Sequence, residues 1–409
     1  LLRSVNGKFM TQQPARICIL GGGFGGLYTA LRLSQFSWKG VPKPDITLID
    51  QGDRFLFSPF LYEVVSGELQ TWEVAPLFQD LLAGTGVKFH QAKVADVNVE
   101  QKSVVLKDGE TQFYDYLVLA IGGETPLGRV PGSQEYALPF RTVADAYRLK
   151  DRLQALQEQD AEKIRIAIVG AGYSGVELAC KLADLLAAQG RIRLIDLGDR
   201  ILRNSPEFNR TAAQKALGDR GVWVDLETSV AEITADTISL TYKGVTDTIP
   251  VDLVLWTVGT RVSAVVTGLP LKQNESGQIV TTPTLQVVEH PEIFALGDLA
   301  DCKDAEGQQV PTTAQAAIQQ ADYVGWNLWA TISQRPLLPY RYQHLGEMLT
   351  LGQDNATLTA LGIKLDGAPA TLFRKLAYLY RMPTAEHQLR VGLSWMVQPI
   401  YSLLAALNA

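Results

Sequence analysis

The chain has 409 residues, 46% of them hydrophobic and 20% charged, with a formal charge of −6. That length suits two or three domains with full cores, the composition excludes a disordered chain, and the acidic balance excludes the usual basic nucleic-acid binder. Cys18, Cys180 and Cys302 lie far apart in sequence, which excludes a C-x-x-C pair or zinc ribbon and fits a reducing compartment.

Residues 1–9 hold no signal-peptide core and are read as a remnant or upstream tail ahead of a start at Met10. Next, 16–20 reads as a strand that runs into Gly21-Gly-Gly-Phe-Gly-Gly26. A helix follows, with Leu27, Ala30, Leu31 and Leu33 at helical spacing, and then a strand over 45–50 that ends on Asp50. Strands are expected at 87–97, 103–106 and 114–120. The opening pattern then returns: a strand over 164–169, the turn Gly170-Ala-Gly-Tyr-Ser-Gly175, a helix over 176–189, and a strand over 191–196 that ends on Asp196. The two leading glycines are 149 residues apart, so the β-α-β unit is duplicated. Further strands are expected at 221–225, 237–242 and 252–256, a helix at 311–331, strands with glycine turns at 341–365, and basic helix from Leu372. No run of about 18 purely apolar residues occurs.

In a G-x-G-x-x-G loop the first glycine permits the tight turn, the second lets backbone approach a pyrophosphate, and the third lets helix and strand pack closely. Gly21, Gly23 and Gly26 fit this pattern, as do Gly170, Gly172 and Gly175. Each loop follows a strand, opens a helix and is followed by an acid, so Asp50 and Asp196 are placed to accept hydrogen bonds from ribose hydroxyls. A decayed copy would not need to keep all three glycines and the acid. Two dinucleotide sites imply one resident and one visiting nucleotide, of which FAD and NAD(P)H are the usual pair. His90, His290, His344 and His387 show no metal spacing, and no metal site is expected.

Five segments carry a family resemblance from about Arg16 to the C-terminus. They are Phe55-Leu-Phe-Ser-Pro-Phe-Leu-Tyr-Glu63 with Val65-Ser-Gly67, Tyr114-Asp-Tyr-Leu-Val-Leu-Ala-Ile-Gly122, Gly172-Tyr-Ser-Gly-Val-Glu-Leu-Ala179, Ile293-Phe-Ala-Leu-Gly-Asp298, and Ala314-Gln-Ala-Ala-Ile-Gln319. In this order they resemble the two-dinucleotide-domain flavoproteins, and more closely the type II NAD(P)H dehydrogenases, which reduce quinones without pumping protons. The cyanobacterial and plastid branch, the demethylphylloquinone reductases, looks nearest.

The resemblance implies an α/β fold of the glutathione-reductase-like flavoprotein type. It would have two Rossmann-like domains: a discontinuous FAD domain at 10–138 and 268–365, and an NAD(P)H domain at 139–267. The FAD site would take Gly21, Gly23, Phe24, Gly25, Gly26, Asp50, Gln51, Pro59, Val94, Ala120, Gly122, Asp298 and Ala316. The NAD(P)H site would take Gly170, Gly172, Tyr173, Ser174, Gly175, Asp196 and Gly259. Glu177, placed in the first turn of its helix, would orient NAD(P)H or relay a proton, and Gln315 and Gln319 would meet the quinone. Hydride would pass from NAD(P)H to FAD and on to a membrane quinone, a naphthoquinone such as demethylphylloquinone, or plastoquinone. Two rivals stand beside this reading: a soluble flavoprotein reductase of an iron–sulfur protein, and a flavin-bearing redox sensor or interaction protein.

Residues 366–409 carry a net charge of +2 and leave −8 on the remainder. Leu372, Phe373, Leu376, Leu379 and Tyr380 form an apolar helical face beside Arg374, Lys375 and Arg381. Leu393, Trp395, Met396, Ile400, Tyr401 and Leu404 follow, interrupted at Gln398-Pro399. This pattern reads as a membrane-surface helix pair with basic and aromatic anchors, and the alternatives are a dimer interface or an ordinary core helix. The expected location is peripheral, on the cytoplasmic side of a membrane, cytoplasmic or thylakoid.

Overall fold

In the computed structural model the strand Arg16–Leu20 lies inside a six-stranded sheet. Residues 13–159 and 162–407 are described, and the expected tail of residues 1–9 and start at Met10 lie outside them. The strand order is Gln286–Val287, His290–Ala295, Tyr116–Leu119, Arg16–Leu20, Asp45–Asp50, Lys88–Gln91. All neighbours are parallel except the first pair. Near-continuous apolar runs such as Ile17–Leu20 are what a sheet covered on both faces requires. The helices Phe24–Gln35 and Ala314–Ile332 pack on one another, and Gly325 allows this: a Cβ there would lie 2.8 Å from Arg32 Cγ. These elements belong to a first unit, formed by Leu1–Phe55, Leu77–Glu124 and Arg261–Gln343.

A second unit is formed by Leu56–Pro76, Thr125–Thr260 and His344–Ala409. Its sheet is wholly parallel, in the order Trp223–Asp225, Gly190–Ile195, Ile164–Val169, Leu253–Trp256, Ala137–Pro139. In both sheets the strand before the glycine loop lies between the strand that ends on the acid and a later strand, so the loop sits at a switch point in strand order. The chain is therefore α/β with two Rossmann-type sheets.

Several local expectations change. The span 87–97 is two strands, Lys88–Gln91 and Val94–Asn98, which join different sheets; the backbone of Ala92 and Lys93 bonds to Asp50 and Lys107 at the break. The tail helix starts at Gly367, ahead of Leu372, and the next helix, Ala385–Leu407, runs on through Pro399. One proline removes a single helical hydrogen bond and does not have to end the helix. The helices Val143–Glu158 and Glu207–Asp219 carried too little apolar periodicity to be read beforehand; capping of the first by Thr142 and Asp145 fixes its start.

The peripheral membrane location is corrected. Among the described residues no helix is long and apolar enough to cross a membrane. Arg374, read as an interfacial anchor, is instead buried, with its side chain 3% exposed. Its Nη1 donates to Glu63 Oε1 at 2.7 Å and its Nη2 to the Pro59 carbonyl at 2.6 Å. The guanidinium also lies 5.1 Å from the Phe60 ring centre and 5.0 Å from that of Tyr378. Lys181 reaches the same Glu63 oxygen at 3.6 Å and donates to Glu68. Breaking a buried ion pair from one side costs about 3–5 kcal/mol, because the other charge is left unpaired. Arg374→Ala is therefore expected to lower unfolding stability by roughly 3 kcal/mol in urea titration. A loss under about 0.5 kcal/mol, the level of a surface position, would contradict the clamp.

Candidate functional site

Each glycine loop is shaped by one steric fact at its third glycine. A Cβ on Gly26 would lie 1.8 Å from the Gly21 carbonyl oxygen, and one on Gly175 would lie 1.7 Å from that of Gly170. The leading glycines adopt φ +96° and +109°, the left-handed region that other residues avoid. At the second glycines, Gly23 and Gly172, a Cβ would meet nothing within 4 Å. Both cap their helices without a side-chain hydrogen bond, and neither helix has an acid in its first turn. Open space beside a helix start that no side chain caps is the environment an anionic pyrophosphate needs. The residues present therefore fit two dinucleotides.

The two acids do more than face a ribose. Gly22 N–H donates to Asp50 Oδ2 at 2.6 Å and Gly52 N–H to Oδ1 at 2.8 Å. In the second loop Ala171 N–H donates to Asp196 Oδ2 at 2.7 Å and Gly198 N–H to Oδ1 at 2.6 Å. Each carboxylate ties its glycine loop to the turn that follows its own strand and keeps spare lone pairs. Burial pushes the Asp50 carboxyl up from its ordinary value, against the pull of those two amides.

Around the first loop, Ala120 packs close: a Cβ on Gly21 would lie 2.4 Å from its carbonyl oxygen. Phe24 sets its ring edge-on to Phe55 at 5.3 Å, and Gly122 adopts φ +74°. Gln51 is exposed, and Val94 begins a strand of a separate three-stranded sheet. Asp298 lies in the short turn Gly297–Leu299, its carbonyl accepting from Gln278 Nε2 at 3.0 Å. Gly297 N–H donates to Gln320 Oε1 at 2.9 Å, so the buried Gln320 holds the Gly-Asp turn. Gln320 was missed, although it lies four residues from Ala316 on the buried face of the helix.

The glutamines and Ala316 are already engaged. Gln319 Oε1 accepts from Gln343 N–H at 3.0 Å, and its Nε2 donates to the Gln343 carbonyl at 2.8 Å. Gln315 Oε1 accepts from the Tyr342 hydroxyl at 3.1 Å. Ala316 N–H donates to the capping Thr313 hydroxyl at 3.2 Å.

In the second unit, a cavity of about 500 Å³ opens beside the second loop, lined by Gly172, Tyr173, Asp196, Gly198, Arg200 and Arg203. Ser174 Oγ accepts from the Tyr62 hydroxyl at 3.0 Å. Gly259 turns at φ +78° against Pro126. Pro59 lies in this unit too, fixed by Arg374.

Glu177 is not in the first turn of its helix: the helix begins at Tyr173, which puts the carboxylate one turn further in. It is buried, and Oε1 accepts from Thr350 N–H at 2.9 Å. Burial pushes its carboxyl up to about 7, only partly offset by Arg374 and the Thr350 bond, while Glu63 adds to the rise. Glu63 behaves oppositely: burial would raise it, but Arg374 and Lys181 hold it below its ordinary value. Two buried carboxylates are thus pushed apart in proton affinity, the arrangement that lets one hold a proton near neutral pH while the other stays charged. Glu63, Lys181 and Arg374 were not foreseen as a cluster. The one signal was a carboxylate inside the apolar run 55–65.

The sequence pattern of the pyridine nucleotide-disulphide oxidoreductase family matches residues 15–321. The chain is 57% identical to the demethylphylloquinone reductase NdbB of Synechocystis sp., over 96% of this chain and 98% of that one. It is 42% identical to the alternative NAD(P)H-ubiquinone oxidoreductase C1 of Arabidopsis thaliana, over 96% of this chain and 83% of the relative. Its fold matches the structure of NDH2 from Plasmodium falciparum in complex with NADH, with a TM-score of 0.83 and 18% identity, over 95% of this chain and 99% of that one.

The raised Glu177 carboxyl has a consequence for stability. Above its ordinary value of 4.5 the unfolded chain has released this proton, while the folded chain keeps it until about 7. The folded state then binds more protons, so the Glu177 contribution to stability falls as pH rises through that window. Glu177→Gln removes that fall: relative to wild type, its urea stability is expected to rise between about pH 4.5 and 7. A difference that stays flat with pH would place an ordinary carboxylate there.

Proposed function

The chain belongs to the pyridine nucleotide-disulphide oxidoreductase family, among its type II NAD(P)H:quinone oxidoreductases, and from that premise we propose that it reduces a lipophilic quinone. It is an FAD-dependent NAD(P)H oxidoreductase. We place it in the demethylphylloquinone-reductase branch, with a naphthoquinone as acceptor; likeness to that enzyme along nearly the whole chain supports this. In this reading the first loop holds FAD in a domain of 10–138 and 268–365, and the second holds NAD(P)H in a domain of 139–267. The observation that carries the reading is the pair of loops, each with an open second glycine beside uncapped helix amides. FAD held by the first loop would supply two-electron transfer between NAD(P)H and the quinone, with two protons completing the quinol.

The protein's part is binding, orientation and proton handling. Amides at Gly23 and Gly172 would hold the pyrophosphates, and Asp50 and Asp196 would keep the loops in shape while accepting from ribose. Asp298, on the turn fixed by Gln320, would orient the flavin tail. Glu177 would hold a proton on its buried carboxyl, beside Thr350 and Tyr62. For Gln315 and Gln319 to meet the quinone, their amides would have to exchange the bonds to Tyr342 and Gln343. Leu372, Phe373, Leu376 and Tyr380 are exposed along the tail helix and support a homodimer.

The quinone reading is tested by following flavin absorbance in separate half-reactions. NAD(P)H should bleach the flavin, and a naphthoquinone should restore it faster than ferricyanide or an iron–sulfur protein does. Restoration by the iron–sulfur protein alone would give the enzyme a different acceptor.

The loop assignments separate by substitution. Gly23→Val should give folded, colourless protein, since a Cβ there has no protein atom within 4 Å and the side chain fills the pyrophosphate's space. Gly172→Val should stay yellow and lose reduction by NAD(P)H at least about tenfold. The reverse pattern would exchange the two sites.

Asp196 repels a 2′-phosphate, while Arg200 and Arg203 line the same cavity and can pair with one. Both nucleotides should therefore serve. Asp196→Ser should raise the NADPH to NADH ratio of kcat/KM by roughly tenfold, the scale of one charged interaction. An unchanged ratio would remove Asp196 from ribose recognition.

A further inference from the structure

The second sheet carries a basic groove at the end away from its glycine loop. Arg165 and Arg191 are direct partners across the parallel strands Ile164–Val169 and Gly190–Ile195. Arg193 is two residues on from Arg191 and pairs with Trp223 on the next strand. Side chains two apart share a face and neighbouring strands lie about 4.8 Å apart, so three guanidinium groups and an indole are crowded on one patch of sheet. The meander Thr228–Ile233, Thr237–Tyr242, Val245–Pro250 covers the sheet over Val169 and Ile195. It leaves the arginine end bordering a cavity of about 250 Å³, which Ala167 and Pro250 also line.

Charge in the groove is unevenly matched. Arg165 Nη1 has Asp252 at 3.8 Å and Arg193 Nη1 has Asp225 at 3.1 Å. Arg193 also lies 5.4 Å from the Trp223 ring centre. Arg191 is exposed and has no carboxylate partner among the described residues, although it stands opposite another arginine. Two like charges at this spacing repel, and an anion between them would relieve that repulsion. Trp223 is 65% exposed, so its ring is open to a stacking partner.

We propose that this groove binds a small aromatic anion, its phosphate or carboxylate between Arg191 and Arg165 and its ring against Trp223. The cavity is below the range of about 300–1,000 Å³ that suits larger ligands, so the ligand is of mononucleotide size. It is not part of the nucleotide site. Five residues of strand, about 16 Å, separate Arg165 from Gly170.

The proposal is tested by calorimetry with adenosine 5′-monophosphate on the whole flavin-loaded protein. One equivalent of NAD+, whose own binding is measured first, fills the nucleotide cavity and leaves no excess whose adenylate half could compete in the groove. Adenosine monophosphate should still bind, with adenosine and inorganic phosphate each at least about tenfold weaker, since each supplies only half of the contacts. Arg191→Ala and Trp223→Ala should each weaken binding about tenfold and leave NADH reduction of the flavin unchanged. Arg191→Lys should recover part of the loss. If NAD+ does not bind, the nucleotide reading fails, while monophosphate binding that weakens in Arg191→Ala still supports the groove. No binding of the monophosphate, or equal binding by wild type and Arg191→Ala, would overturn the groove.

Discussion

A carbonyl oxygen occupies the place of a methyl group at the start of each nucleotide helix. Gly26 and Gly175 sit so close to the carbonyls of Gly21 and Gly170 that any side chain would force strand and helix apart. That closeness sends each loop back sharply over its strand and leaves its second glycine facing open space. The acids at the ends of the next strands, Asp50 and Asp196, lock the geometry with paired amide bonds. The same solution appears twice in one chain, 149 residues apart, and the reading of two nucleotides rests on it.

A second constraint lies inside the unit that carries the second loop. Glu63, Lys181 and Arg374 are buried together, and neither cation could stay there without a carboxylate. The cluster joins the 56–76 segment, the helix Tyr173–Leu186 and the tail helix Gly367–Arg381. It also sets the surroundings of Glu177, whose carboxyl is driven up by burial while its neighbour Glu63 stays charged. A basic tail residue thus serves the interior of the fold, while the apolar row beside it stays outside.

The sequence made the glycine loops, the central strands and the two acids legible, because each is local: a strand, a turn and a helix within some thirty residues. Contacts across long separations were not legible. Glu63 and Arg374 are 311 positions apart, and nothing in a stretch of helix distinguishes an arginine that snorkels outward from one that turns inward. Gln320 was hidden by its neighbour Gln319: the motif ended one residue early, while the burial pattern of the helix continued through Ala321 and Val324. Glu177 was placed a turn too early because its helix starts inside the glycine loop, at Tyr173, rather than after it.

The most direct measurement is an anaerobic titration of the purified protein with NADH, read through flavin absorbance. The account predicts one FAD per chain, bleached fully by one equivalent of NADH and restored by one equivalent of a naphthoquinone. Colourless protein, or a bound flavin that stays oxidised under excess NADH and NADPH, would contradict it.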